Sequence, residues 1–88
     1  MSRIQLRLFG AFRDWRSNPV IELDVFENST VADLRLTLLG HLNTDDAGKG
    51  LMPLVADSVF ADEQSTLLDS DSLIGRSRLA ILPPVCGG

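Results

Sequence analysis

The residues of this sequence best suited to chemistry are the last six, Pro83-Pro84-Val85-Cys86-Gly87-Gly88. Two adjacent prolines hold the backbone extended and cannot donate to a sheet ladder, so they stop a strand and lead the chain away from it. The two final glycines carry no side chains, and a narrow channel could admit their backbone right up to the carboxylate. At a background of about 7% glycine, two terminal glycines arise by chance with a probability of about 0.5%. The arrangement presents the Gly88 carboxylate as a substrate. A carboxylate at neutral pH is a poor acyl donor, and it needs activation, most simply as an acyl adenylate, before it can carry a sulfur or acylate an amine. The sequence has no phosphate-cradling Gly-x-x-x-x-Gly-Lys-Ser/Thr loop and no acid–base constellation for that step, so the activating enzyme is expected to be a partner. On the residues alone, a frayed terminus fits the same composition.

Other reactive side chains are sparse. Cys86 is the single cysteine, which excludes an internal disulfide and a multi-cysteine zinc site and points to the cytoplasm. No neighbour in sequence would lower the pKa of its thiol, so Cys86 is read as a bystander beside the reactive end. His41, the single histidine, is placed near a helix end. Asp69-Ser70-Asp71 looks like the opening of a calcium loop, but Leu73 occupies a ligand position and no glycine follows in register. No metal and no bound cofactor are expected. With 88 residues, 44% hydrophobic and 23% charged, the chain has the composition of one globular domain, too short for a large enclosed catalytic cavity. A net charge of −4 argues against a nucleic-acid partner. The opening residues alternate polar and apolar instead of forming a signal-peptide core, and no run approaches the roughly 20 residues of a membrane span.

The elements that must position the tail follow from periodicity. Ile4, Leu6, Leu8 and Phe12 share one parity and Arg3, Gln5 and Arg7 the other, which predicts a half-buried strand over residues 3–12. Turn formers at 13–19 separate it from a second alternating run at 20–25. Val31, Leu34, Leu38 and Leu42 then fall on one helical stripe, with Ser29 or Thr30 as N-cap, Asp33 in the first turn and Gly40 as the expected stop. Residues 43–50 read as a polar, glycine-rich loop, followed by two short apolar segments, 54–56 and 59–60, joined by a turn at Asp57-Ser58. Residues 62–71 are acidic and serine-rich, and 79–82 form a last strand ended by Pro83-Pro84. The order predicts an α+β domain with one helix on one face of a mixed sheet.

Strand parity also predicts a docking face. If Ile4, Leu6 and Leu8 point at the helix, Phe9 points the other way; if Leu79 and Ile81 point inward, Leu82 faces out, and Val59 extends the apolar patch. A break in register would bury Phe9 instead. Arg3, Arg7, Arg76 and Arg78 would form a basic strip if the first and last strands are neighbours, with a solvated face as the simpler reading.

An α+β domain of this element order that ends in Pro-Pro-Val-x-Gly-Gly resembles the ubiquitin-like sulfur carriers and is most similar to the small subunit of molybdopterin synthase. The resemblance runs through residues 4–12, the helix start Ser29-Thr30-Val31-Ala32-Asp33-Leu34-Arg35, residues 55–60 and residues 79–88. Pro83-Pro84-Val85 favours this branch over the carriers of the thiamine branch. The resemblance implies a β-grasp fold over residues 1–88, with a mixed sheet of four to five strands, one main helix, and residues 83–88 as an extended flexible tail. It implies that the chain is a carrier and not an enzyme. A ubiquitin-activating-type enzyme uses ATP to adenylate Gly88, a sulfur donor protein supplies the sulfur of a thiocarboxylate, and the large subunit of molybdopterin synthase consumes it. Gly88 then bears the sulfur, Gly87 is the steric necessity beside it, and Phe9, Val59, Leu82, Pro83, Pro84, Val85 and Cys86 face the partners. The same end would serve a sulfur carrier for thiamine, cysteine, thiolated tRNA or a secondary metabolite, or a ubiquitin-like modifier joined to lysines of other proteins. Two features depart from the family: Gly75-Arg76-Ser77-Arg78 stands where an acidic turn is usual, and the acidic stretch 62–72 is longer.

Overall fold

The computed structural model describes residues 1–84, and the expectations placed on Val85, Cys86, Gly87 and Gly88 lie outside the described residues. Five strands, β1 (Ser2–Leu8), β2 (Val20–Val25), β3 (Val59–Ala61), β4 (Thr66–Leu67) and β5 (Arg78–Leu82), form one mixed sheet in the order β2-β1-β5-β3-β4. β1 and β5 are parallel, and every other pair is antiparallel. Period-two alternation sends Ile4, Leu6 and Leu8, Leu23 and Val25, and Leu79 and Ile81 to one face, all of them buried. Helix α1 (Val31–Leu42) lays Val31, Leu34, Leu38 and Leu42 on that face, and Phe12 and Phe60 complete the core. Each such side chain contributes roughly 1.5–3 kcal/mol relative to exposure. No helix among the described residues is long and apolar enough to cross a membrane.

The start of α1 is held as its sequence suggests. The Thr30 amide and hydroxyl donate to the Asp33 carboxylate at 2.9 and 3.2 Å, an arrangement that also places a negative charge at the helix N-terminus. The acidic stretch reinforces it from afar, since the amides of Val31 and Ala32 donate to the carbonyls of Asp71 and Asp69 at 2.9 and 3.0 Å. Two of the amides that a helix start leaves without a partner are thus met by backbone some forty residues on.

Four boundaries differ from the sequence reading. β1 ends at Leu8, and the chain continues as a 3-10 helix over Gly10–Trp15 that carries Phe12 into the core. α1 runs past Gly40 to Leu42, because Gly40 does not take the left-handed conformation of a helix stop and the Leu38–Leu42 stripe continues into the core. Only residues 43–45 of the expected 43–50 loop connect the helices; residues 46–50 are the first half of a second helix, α2 (Asp46–Val55), and Leu54 and Val55 end that helix instead of forming a strand. The Asp57-Ser58 turn therefore joins α2 to β3. The acidic segment, read without regular structure, contains the short edge strand β4.

The reason α2 escapes a propensity reading is its composition. Gly48, Gly50 and Pro53 cost about 1, 1 and 3 kcal/mol relative to alanine in a helix interior. Tertiary contacts override that cost: Asp45 caps the helix by accepting from the Gly48 amide at 2.6 Å, and Val55 is fully buried. Leu51, Met52 and Leu54 also pack on the core, and at Gly48 a side chain would run into the Leu42 carbonyl at the end of α1.

Candidate functional site

The side chains that alternate away from the core make the outer face of the sheet. At the edge nearest the end of β5 this face is apolar. Val59 of β3 is the register partner of Leu82, Ala61 pairs with Ala80, and Ala80 pairs on its other side with Arg7 of β1. The last β1–β5 pair is Leu8 with Ile81; one residue further on each strand stand Phe9 and Leu82. Phe9 keeps an extended backbone, φ −124° and ψ 159°, so it continues the outward parity. Phe9, Val59 and Leu82 are 39%, 39% and 37% exposed, less than Phe26, Leu36, Leu68 and Ile74 elsewhere on the surface, and what distinguishes them is that they lie together on one edge of the sheet. The small side chains of Ala61 and Ala80 leave a shallow depression, which Phe9, Arg7 and Arg78 border on one side and Asp62 and Glu63 on the other.

From this edge the chain leaves the sheet. β5 stops at Leu82, and the half-buried Pro83 turns onto the β1 exit at Gly10. A Cβ added to Gly10 would stand 2.5 Å from Pro83 Cγ and 3.4 Å from its Cδ, and Gly10 has φ +58°, a left-handed conformation that side chains disfavour. Pro84 is also half-buried.

The charges around the face do not form the continuous basic strip that the arginine spacing suggested. Arg3 bridges Asp24 at 3.2 Å and Glu22 at 3.5 Å on β2, and its hydrogen bond to Asp24 raises its pKa further. Arg76 pairs with Asp62, whose carboxylate also accepts from the amides of Gln64 and Ser65 at 2.8 Å. Those two amides, then Arg76, hold the Asp62 pKa below its ordinary value. Arg7 and Arg78 have no carboxylate within 4 Å among the described residues, so they are the cations left beside the apolar edge. His41 sits in the last turn of α1, remote from this edge. Asp69 and Asp71 are used structurally: Asp69 accepts from Arg35 and Asp71 from the Leu68 amide, each at 2.7 Å. Among the described residues no group of three or more His, Cys, Asp or Glu side chains could hold a metal ion.

Sequence reasoning missed two positions that shape the site. The alternation of Ile4, Leu6, Leu8 and Phe12 leaves Gly10 on the core parity, where a glycine signals a bend. Arg35 was read as part of a helix start. Its guanidinium donates to the carbonyls of Val55 and Ser58 and to Asp69, and it lies 5.1 Å from the Phe60 ring centroid. It thereby fixes the end of α2 and the start of β3, the strand that carries Val59. No local pattern in the sequence announces these partners.

No protein-family model and no curated protein matches this chain. Solved structures do. The crystal structure of SAMP1 from Haloferax volcanii superposes with a TM-score of 0.72 at 20% identity, over 99% of this chain and 100% of that one. A second crystal structure, of the H. volcanii small archaeal modifier protein 1, gives 0.72 at 18% identity over 97% and 100%. At this identity the likeness establishes the fold, the ubiquitin-like β-grasp expected from the tail and the element order.

Proposed function

We propose that this chain is a ubiquitin-like carrier or modifier whose Gly88 carboxylate is activated by a partner enzyme of the ubiquitin-activating type, the chain supplying the carboxylate and no catalysis. The observation that carries this reading is the convergence at one edge. The apolar residues Phe9, Val59 and Leu82 border the point where β5 hands the chain through Pro83 to a sequence that ends in two glycines. A partner docked on that edge meets the carboxylate by following the chain. In the activation, a carboxylate oxygen of Gly88 displaces pyrophosphate from ATP and leaves an acyl adenylate. A nucleophile then displaces AMP, giving an amide when it is a lysine amine and a thiocarboxylate when it is a hydrosulfide equivalent from a sulfur donor protein. The setting is the cytoplasm, where ATP is available.

Each product has its own support. The neighbours in fold are named as modifiers, which favours the amide. The Pro83-Pro84-Val85 tail favours the sulfur carrier, and within that reading it favours delivery to the large subunit of molybdopterin synthase over other sulfur pathways.

Mass spectrometry of the chain produced with its adenylating enzyme tests the proposal. Replacement of one oxygen by sulfur at Gly88 identifies the carrier, and branched peptides on lysines of other proteins identify the modifier. Deleting Gly88 is expected to abolish adenylate formation with an unchanged melting temperature, since the residue lies beyond the sheet. Normal adenylation of the shortened chain would overturn the proposal.

A further inference from the structure

We infer that Gly10 is a positioning residue for the reaction at Gly88: it seats Pro83 and so fixes the line along which the chain leaves the sheet. This rests on the adenylation reading above and assigns a role to a residue that neither docks a partner nor reacts. Two independent features make the position specific for glycine. Its φ of +58° is disfavoured for side chains, and the space a Cβ would need is already filled by Pro83, with Cγ at 2.5 Å.

The seat is also firmly held. Gly10 opens the 3-10 helix, whose Phe12 is fully buried and donates its amide to the Phe9 carbonyl at 3.2 Å. At the far end of that helix Trp15 Nε1 donates to Asp45 at 3.2 Å, the same carboxylate that caps α2. A pinned surface therefore lies under the proline. The residues beside the seat are the exposed apolar ones, because Phe9 precedes Gly10 and Leu82 precedes Pro83. Docking surface and tail direction thus belong to one rigid junction. Five residues follow Pro83 in sequence and span at most about 17 Å, so the seat of Pro83 limits the region that the Gly88 carboxylate can reach. Misplacement of a reacting group by even about 1 Å can cost on the order of a hundredfold in rate.

The test is steady-state adenylation by the partner enzyme, followed by chain-dependent exchange of pyrophosphate into ATP across a range of chain concentrations. Gly10→Ala is expected to lower kcat about 10- to 100-fold with KM little changed, because Phe9, Val59, Leu82 and Pro83 all remain, and Pro83→Gly is expected to lower kcat by a similar factor. Phe9→Asp is expected to do the opposite, raising KM. The double variant should be no worse than either single one, since both remove the same contact. Pro83→Gly guards against a folding artefact at Gly10, since it removes the contact without introducing a clash and should stay folded with a melting temperature only slightly below that of the parent chain. In the isolated chain a nuclear Overhauser effect between Gly10 Hα and the Pro83 ring should be present. Unchanged kcat in folded Pro83→Gly, additive losses in the double variant, or absence of that Overhauser effect overturns the seat while the adenylation reading stands. A parent chain that supports no pyrophosphate exchange overturns the adenylation reading and takes the inference with it.

Discussion

Phe9 and Phe12 are the same side chain three residues apart, and their surroundings give them opposite duties. Phe9 is 39% exposed at the rim of the outer face, so Phe9→Asp is expected to cost less than about 1 kcal/mol of stability while weakening the complex with the proposed activating enzyme. A chemical melt paired with a binding titration separates the two effects. Phe12 is fully buried, and Phe12→Ala is expected to cost about 3–5 kcal/mol through lost transfer energy and the cavity left behind. Parity read from the sequence assigned both directions correctly, although the backbone reaches Phe12 by a 3-10 turn and not by the strand that alternation implied. Asp62 gives a residue-level prediction in pH. Its pKa lies below the ordinary 3.8 because the Gln64 and Ser65 amides, and then Arg76, favour the carboxylate. A lowered folded pKa contributes stability that is fully present above pH 3.8 and is lost as the pH falls through the lower folded value. The Gln64 and Ser65 amide resonances should therefore titrate with a midpoint below 3.8.

At the scale of elements, the parts with a clear period were legible and the parts built by contacts were not. α1 announces itself through Val31, Leu34, Leu38 and Leu42 and through the Thr30–Asp33 start. α2 does not, because Gly48, Gly50 and Pro53 argue against a helix that is formed by the Asp45 cap, the approach of Gly48 to Leu42 and the burial of Val55. Asp45→Ala should accordingly cost about 0.5–2 kcal/mol from the cap. It should also free Trp15, whose fluorescence reports the loss of its indole hydrogen bond. Arg35 joins elements that the sequence lists far apart. Its side chain is only 16% exposed, and Arg35→Ala would leave the carbonyls of Val55 and Ser58 without their charged donor, a loss of about 1–3 kcal/mol by denaturant unfolding. Arg35→Lys should recover little of it, because an ammonium cannot span the same three acceptors in the plane of the guanidinium fork.

For the molecule as a whole, β1 and β5 lie side by side in parallel, which brings the two ends of the sheet's chemistry together. The exit of β1 supplies Phe9 and Gly10, the exit of β5 supplies Leu82 and Pro83, and the long acidic stretch between β3 and β5 closes the far end by satisfying the start of α1. That stretch is therefore structural over Asp69 and Asp71. The sequence by itself determined the fold class, the core faces and the outward parity of Phe9 and Leu82, and it singled out the terminal carboxylate on which the proposed function rests. Each depends on local quantities: side-chain period, the missing donor of proline and the missing side chain of glycine. Only the tertiary structure decided that Pro83 rests on Gly10, that Val59 stands opposite Leu82, that Arg3 and Arg76 are already paired, and that a glycine-rich stretch is helical. Those facts come from residues distant in the chain meeting in space, and contacts of that kind leave no period behind for a sequence to display.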